Sequence, residues 1–160
     1  MEFLRDNNTV KFNGLTYDVI ILENGDILLK KKEIIIDINK DNSDEISDYN
    51  FTFSEIINCK IDETVIDKLK YRNIINNIYN IINNGAKIIK YNSFKDTSEY
   101  IQTGESKENG FYYLKHLGIS IRNVDSNINI KEIVSQCTKN KIKIEMKIKL
   151  KNNNIVNIII

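Results

Sequence analysis

Apolar and polar positions near the start of the chain alternate in the way that is typical of β-strands. The pairs Asn13-Gly14 and Asn24-Gly25 are typical of type I′ turns between antiparallel strands. β-forming apolar residues flank both pairs, which predicts strands over residues 10–12, 15–21 and 27–36, the last interrupted by three lysines. The first 36 residues are therefore predicted to form an antiparallel meander.

A long central helix is predicted next, because apolar residues recur with helical spacing between Val65 and Ile82. Asp62 is its predicted N-cap, since a carboxylate there accepts hydrogen bonds from free amides. Asn84-Gly85 is a natural left-handed stop. The segment 51–61, before the helix, has mixed strand-like character that the pattern does not resolve.

Shorter elements are predicted after this helix. Residues 87–91 and 119–124 read as strands, whereas 111–117 stays open between helix and strand, because it ends at a glycine but is rich in aromatic residues. A second helix is predicted from four residues at the spacing i, i+3, i+4 and i+7, which share one helical face. They are Ile130, Ile133, Val134 and Cys137.

Strict alternation marks the last part of the chain, where Ile142 to Leu150 carries apolar residues at every second position and mostly lysines between them. Three asparagines at 152–154 predict a turn into a final strand, 155–160. The fold class predicted for 1–160 is thus a single α+β domain: an N-terminal antiparallel β-meander, a long central helix, a C-terminal helix and an amphipathic β-hairpin. The pattern leaves the strand order open.

Composition supports a folded chain, because 160 residues with 41% hydrophobic residues are enough to bury a core. Two cysteines are too few for a disulfide framework or a four-cysteine zinc site. The N-terminus lacks the basic and apolar regions of a signal peptide, and no apolar run reaches the ~18 residues that a membrane span needs. We expect a soluble, cytoplasmic protein with no membrane partner.

Charge is distributed unevenly along the chain. Residues 1–70 carry 15 acidic and nine basic side chains, and residues 71–160 carry seven and 14, although the net charge is only +1. Clustered carboxylates can occupy a basic, nucleic-acid-binding groove of another protein by imitating phosphates. The leading hypothesis is a non-enzymatic interaction protein that presents an acidic surface to a macromolecular partner, as in an inhibitor (anti-defence) or immunity protein of a phage or mobile element.

Eight acidic side chains form the predicted partner site: Asp37, Asp41, Asp44, Glu45, Asp48, Glu55, Asp62 and Glu63. The alternative hypothesis is a nucleic-acid-binding module, because lysines at every second position of a strand are spaced about 7 Å apart, like successive phosphates. Those lysines lie in the predicted strand from residue 139 to 151: Lys139, Lys141, Lys143, Lys147, Lys149 and Lys151. A purely structural explanation of the charge asymmetry is also open, in which the two oppositely charged halves contact each other within one monomer or across a homodimer.

Catalysis has little support in the sequence, and no enzyme, cofactor or metal is predicted. His116 is the single histidine, so a cysteine nucleophile would need it as the base. Carboxylates in 37–48 have the spacing of an EF-hand or dockerin calcium loop. However, Asn42 stands where that loop needs glycine, and Asp44 where it needs an apolar anchor. An enzyme with an unrecognised site remains a third hypothesis.

Overall fold

A computed structural model describes residues 9–12, 15–38, 45–85 and 101–160. Within these ranges the chain is mixed α+β, with 11 strands in three sheets and two α-helices, which confirms the predicted fold class. The strands are β1 (Thr9–Phe12), β2 (Leu15–Ile21), β3 (Ile27–Lys31), β4 (Ile34–Asp37), β5 (Glu55–Ile61), β6 (Thr64–Val65), β7 (Ile101–Thr103), β8 (Phe111–Leu114), β9 (Ile119–Arg122), β10 (Ile144–Lys149) and β11 (Ile155–Ile159). The helices are α1 (Tyr71–Gly85) and α2 (Ser126–Asn140). The strand predicted at 87–91 lies outside the described residues.

The N-terminal sheet has the order β1-β2-β3, with antiparallel neighbours throughout, as a meander requires. Gly25 adopts a left-handed φ of 85° in the β2–β3 turn, where the Leu22 amide donates to the Asp26 carbonyl at 2.8 Å. The third strand is shorter than predicted, because it ends at Lys31. The apolar residues that follow it belong to a different sheet.

The central sheet has the order β4-β11-β10-β5-β6. Its β10–β11 hairpin confirms the predicted C-terminal hairpin, and β5 lies in the segment that the pattern left unresolved. β4 pairs in parallel with β11, which is why it does not continue the meander. This pairing places Ile36, 1% exposed, in the core, and burial of such a side chain stabilises the fold by about 1.5–3 kcal/mol.

α1 begins at Tyr71, eight residues after the start that a cap at Asp62 predicts, so the proposed cap is wrong. Asp62 and Glu63 have left-handed φ values of 42° and 70° and form the turn between β5 and β6. The Asp62 carboxylate instead accepts a hydrogen bond from the Lys143 amide at 2.9 Å. Pairing of β6 with β5 therefore overrides the helical pattern of this segment. α1 is described through Gly85, and the residues after it lie outside the described part of the chain, so the predicted stop there stays a prediction.

α2 confirms the second predicted helix. The Asp125 side chain caps it by accepting from the amides of Asn127 and Ile128 at 2.8 and 3.1 Å. The helix extends through Asn140 and ends with Lys141 at a left-handed φ of 56°. The lysine strand consequently begins later than predicted, because residues 139 and 141 belong to the helix and its cap.

The helices pack on one face of the central sheet, and the hydrophobic core lies between them and the sheet. Its fully buried members include Ile74, Ile75 and Ile78 on α1, Ile130, Ile133 and Cys137 on α2, and Ile144, Met146 and Ile148 on β10. The alternate residues of β10 face solvent on the opposite side of the sheet. A third sheet, of order β7-β9-β8, resolves the ambiguous segment in favour of a strand followed by a turn.

Candidate functional site

Phe53 is the most exposed large apolar side chain of the described residues, at 79% exposure. It lies just before β5, in a turn closed by a 3.0 Å hydrogen bond from the Ser54 amide to the Phe51 carbonyl. Phe53 is the third residue of that turn and has a left-handed φ of 60°. Such a position favours glycine, and a bulky residue there is strained. The turn thus has a large side chain at a position where glycine would be less strained.

Asn127 at the start of α2 holds this turn in place. Its Oδ1 accepts from the Phe51 amide at 2.7 Å, and its Nδ2 donates to Thr52 Oγ1 at 2.9 Å. The Thr52 amide donates to Asn50 Oδ1 at 2.9 Å, and the Phe51 side chain is buried in the core. The two residues before Phe53 are therefore fixed by contacts within the fold.

A groove of about 730 Å³ runs beside Phe53, and we call it the Phe53 groove. The Lys151 ammonium nitrogen lies 5.2 Å from the centroid of the Phe53 ring, within the range of a cation–π contact. The lining residues come from the segment before β5 and from the β10–β11 turn: Asp48, Tyr49, Asn50, Thr52, Phe53, Leu150, Lys151, Asn152 and Asn154. The groove thus combines aromatic, amide and charged groups.

Three residues of the predicted acidic site lie at this end of the sheet. Asp48 lines the groove, Glu45 begins the 3-10 helix Glu45–Asp48, and Glu55 begins β5 opposite Lys149. All three acidic side chains are exposed, and none forms an ion pair with another described residue. Their charges are consequently available to a partner.

The other described acidic residues lie at the opposite end of the sheet. Asp37 ends β4, while Asp62 and Glu63 follow β5, whose length of six steps separates the two ends by roughly 20 Å. Glu63 pairs with Lys60 at 2.5 Å, and that hydrogen bond lowers the pKa of its carboxyl. The predicted acidic site is therefore split in two. Two of its members, at positions 41 and 44, lie outside the described residues.

The strand lysines are interleaved with carboxylates on the outer face of the central sheet. Lys147 pairs with Glu33 at 2.5 Å, and this hydrogen bond lowers the pKa of the Glu33 carboxyl. Glu145 lies between Lys143 and Lys147 on the same face. This face is of mixed charge. It agrees with the structural explanation, in which the acidic half of the chain contacts the basic half. Lys149 and Lys151 lie towards the Phe53 groove.

The groups that would serve a Cys-His site are separated in the structure. Cys59 and Cys137 are completely buried, and burial raises the pKa of Cys59 to about 12 and also raises the pKa of Cys137. Such thiols are unreactive in the folded state. His116 Nε2 lies 2.6 Å from Asn80 Oδ1, at the surface. Residues 9–12, 15–38, 45–85 and 101–160 hold no cluster of three or more His, Cys, Asp or Glu side chains suited to a metal.

Sequence reasoning missed Phe53 because its position carried no periodic signal. The segment 51–61 was unresolved, and nothing in the run Phe51-Thr52-Phe53 separates the buried aromatic ring from the exposed one. The only local hint is Asn50, which can support a turn two residues on. Phenylalanine rarely adopts a left-handed φ, so the residue type gives no indication that Phe53 has one.

The chain matches no family model, no curated protein and no solved structure. In the part of the chain that the structure describes, neither helix has the length and hydropathy needed to cross a membrane. Function is therefore argued from the geometry of the groove and its charges alone.

Proposed function

We propose that the protein is a non-enzymatic interaction protein that binds a macromolecular partner through the Phe53 groove and the acidic side chains beside it. The observation that carries this proposal is Phe53 itself, which is 79% exposed at a left-handed φ in a turn held by Asn127. Exposed aromatic side chains on a rigid frame are the usual anchors of protein interfaces. A strained residue at such a position favours a role for its side chain.

The expected partner carries a basic surface, because Glu45, Asp48 and Glu55 are exposed and unpaired among the described residues. Opposite charges accelerate encounter and orient the two molecules. A nucleic-acid-binding protein offers such a surface. The specific form of the proposal is therefore an inhibitor or immunity protein, encoded by a phage or mobile element, that covers that surface.

The test separates binding from folding by replacing Phe53 with glycine. Glycine removes the ring and accepts the left-handed φ, so we expect Phe53→Gly to leave the free energy of unfolding unchanged or raise it by up to about 1 kcal/mol. We also expect it to abolish capture of the partner. Tagged protein is incubated with lysate of its native host at low salt, with and without nuclease, and the bound proteins are identified by mass spectrometry.

Val65→Ala is the matched control, because Val65 is also an exposed apolar residue but lies at the other end of β5. We expect wild type and Val65→Ala to retain the same stoichiometric protein after nuclease treatment. If Phe53→Gly retained that protein as strongly as wild type, the groove would not be the binding site.

A nucleic-acid-binding function is the second candidate, and the pairing of Lys151 with the Phe53 ring favours it. Single-stranded nucleic acids bind surfaces where an aromatic ring stacks on a base and lysines contact phosphates. Lys149→Glu/Lys151→Glu should then weaken retention on single strands and make the salt dependence shallower. Lys141→Glu/Lys143→Glu is the control, because both lysines are exposed and lie just before β10, at the end of that strand opposite to the groove. Equal losses from both pairs, or no loss from either, would contradict this function.

A further inference from the structure

The N-terminal sheet presents one apolar face, which follows from its register. Residues paired directly across antiparallel strands lie on the same face, and the pairs Val19↔Leu29 and Ile21↔Ile27 join two apolar side chains each. The described apolar residues of this face are Val10, Phe12, Tyr17, Val19, Ile21, Ile27 and Leu29. The opposite face carries Asp18 paired with Lys30 and is more polar.

This apolar face is open to solvent. Ile21 and Ile27 are 73% and 67% exposed, and none of the side chains in these strands whose burial is described is buried. A contiguous apolar patch at the surface normally marks an interaction site, since exposure of such a sheet to water invites association. The face therefore requires a partner surface of matching shape.

Charge is polarised along the same hairpin. Glu23 and Asp26 lie at the β2–β3 turn, whereas Lys31 and Lys32 lie at the open end. When two copies pack face to face about a two-fold axis that is perpendicular to the strands and lies between the sheets, their strands run antiparallel. The acidic end of each copy then covers the basic end of the other, so the surface is complementary to itself.

We propose that the apolar face of the N-terminal sheet binds a second copy of the chain in this antiparallel arrangement. Val19 and Leu29 lie at the centre, on the two-fold axis. Ile21 and Ile27 pack on Tyr17 and on the aliphatic stem of Lys31 in the other copy. The Lys31 ammonium then reaches the acidic turn. This contact uses a surface separate from the Phe53 groove, so either proposal can fail without the other.

The size of the face sets the strength of the association. The three strands have four, seven and five residues. At about 4.8 Å between strands, the sheet covers at most roughly 14 Å by 20 Å. This footprint is well below the ~800 Å² that each partner buries in a standard interface. The dimer is therefore expected to be weak and to form in the micromolar to millimolar range.

The first test compares two neighbouring leucines. Leu28 and Leu29 are 48% and 49% exposed and lie on opposite faces of β3. Leu29→Lys should abolish the dimer by placing two ammonium groups on the two-fold axis, whereas Leu28→Lys should leave it within about twofold of wild type. Sedimentation equilibrium between about 1 µM and 1 mM measures both. A monomeric wild type, or equal behaviour of the two variants, would overturn the proposal.

The second test uses complementary charge reversal. Glu23→Lys and Lys31→Glu should each weaken self-association about tenfold at low salt. In either homodimer, residue 23 of each copy faces a residue 31 of the same charge in the other copy, so like charges meet at both ends. An equimolar mixture of the two should recover association, since the heterodimer restores opposite charges at both ends. Native mass spectrometry counts homodimers and heterodimers. A statistical mixture of species with no excess of heterodimer would contradict the antiparallel two-fold.

Discussion

Glu132 is a carboxylic acid buried in the core, where a charged side chain is unfavourable. Its side chain is 1% exposed between the two helices, where Oε1 accepts hydrogen bonds from the Tyr79 hydroxyl and from Gln136 Nε2. Its Oε2 and the Asn76 Oδ1 have no partner among the described residues. Burial raises the pKa of this carboxyl, although its two hydrogen bonds and the charge of Lys139 oppose the shift. The fold therefore favours the protonated acid.

Glu132→Gln should stabilise the protein at alkaline pH. Because the folded-state pKa is raised, the stability from protonated Glu132 is fully present below the unfolded pKa of about 4.3 and is lost as pH rises through the folded value. Glutamine stays neutral, so we expect it to gain about 1–3 kcal/mol over wild type at pH ~8 and much less at pH ~4.5. Urea unfolding at both pH values measures the difference.

Glu145→Gln, on the exposed face of β10, is the control for that measurement. It should leave the pH dependence of unfolding as in wild type. A difference between Glu132→Gln and wild type that is the same at both pH values would show that the buried carboxyl does not change its protonation on folding.

At the scale of elements, the sequence pattern predicted the helices and strands whose formation depends on residues close together in the chain. The spacing from Ile130 to Cys137 marked α2, and alternation marked β10, because one buried face is enough to produce each period. The start of α1 was not predictable in this way, since β6 pairs with β5 and this pairing removes residues 64–65 from the helix. Residues 34–36 were predicted as strand, but their pairing with β11, more than 100 residues away, was not.

Asn127 joins two elements, and its replacement tests the rigidity of the Phe53 turn. Asn127→Ala removes the acceptor of the Phe51 amide, so we expect the free energy of unfolding to fall by about 1–3 kcal/mol. The Phe51 and Ser54 amides should also exchange hydrogen faster than in wild type.

Asn127→Asp is the conservative variant, because its carboxylate still accepts from the Phe51 amide and can accept from the Thr52 hydroxyl. It should retain slow exchange at both amides. Fast exchange in wild type itself, or no change in Asn127→Ala, would mean that the turn is not held by this side chain.

At the scale of the whole molecule, opposite charges of the two halves meet but do not cancel everywhere. Glu33 and Lys147 join the halves across the central sheet, whereas the acidic residues near Phe53 stay unpaired among those described. The charge asymmetry was visible in the sequence, but its division between two ends of a sheet was not, since that depends on strand order. Three of the predicted acidic residues therefore lie at the Phe53 end of the sheet, whereas Phe53 itself was not predicted.

The most direct test of the proposed function measures where charge reversal changes binding. Asp48→Lys/Glu55→Lys alters the Phe53 end of the sheet, and Asp37→Lys/Glu145→Lys alters the opposite end by the same net charge. We titrate each variant with the captured partner at low and high salt. The account predicts that the first pair lowers affinity about tenfold or more at low salt and flattens the salt dependence, while the second stays within about twofold of wild type. Equal effects of the two pairs, or an unchanged affinity for the first, would contradict it.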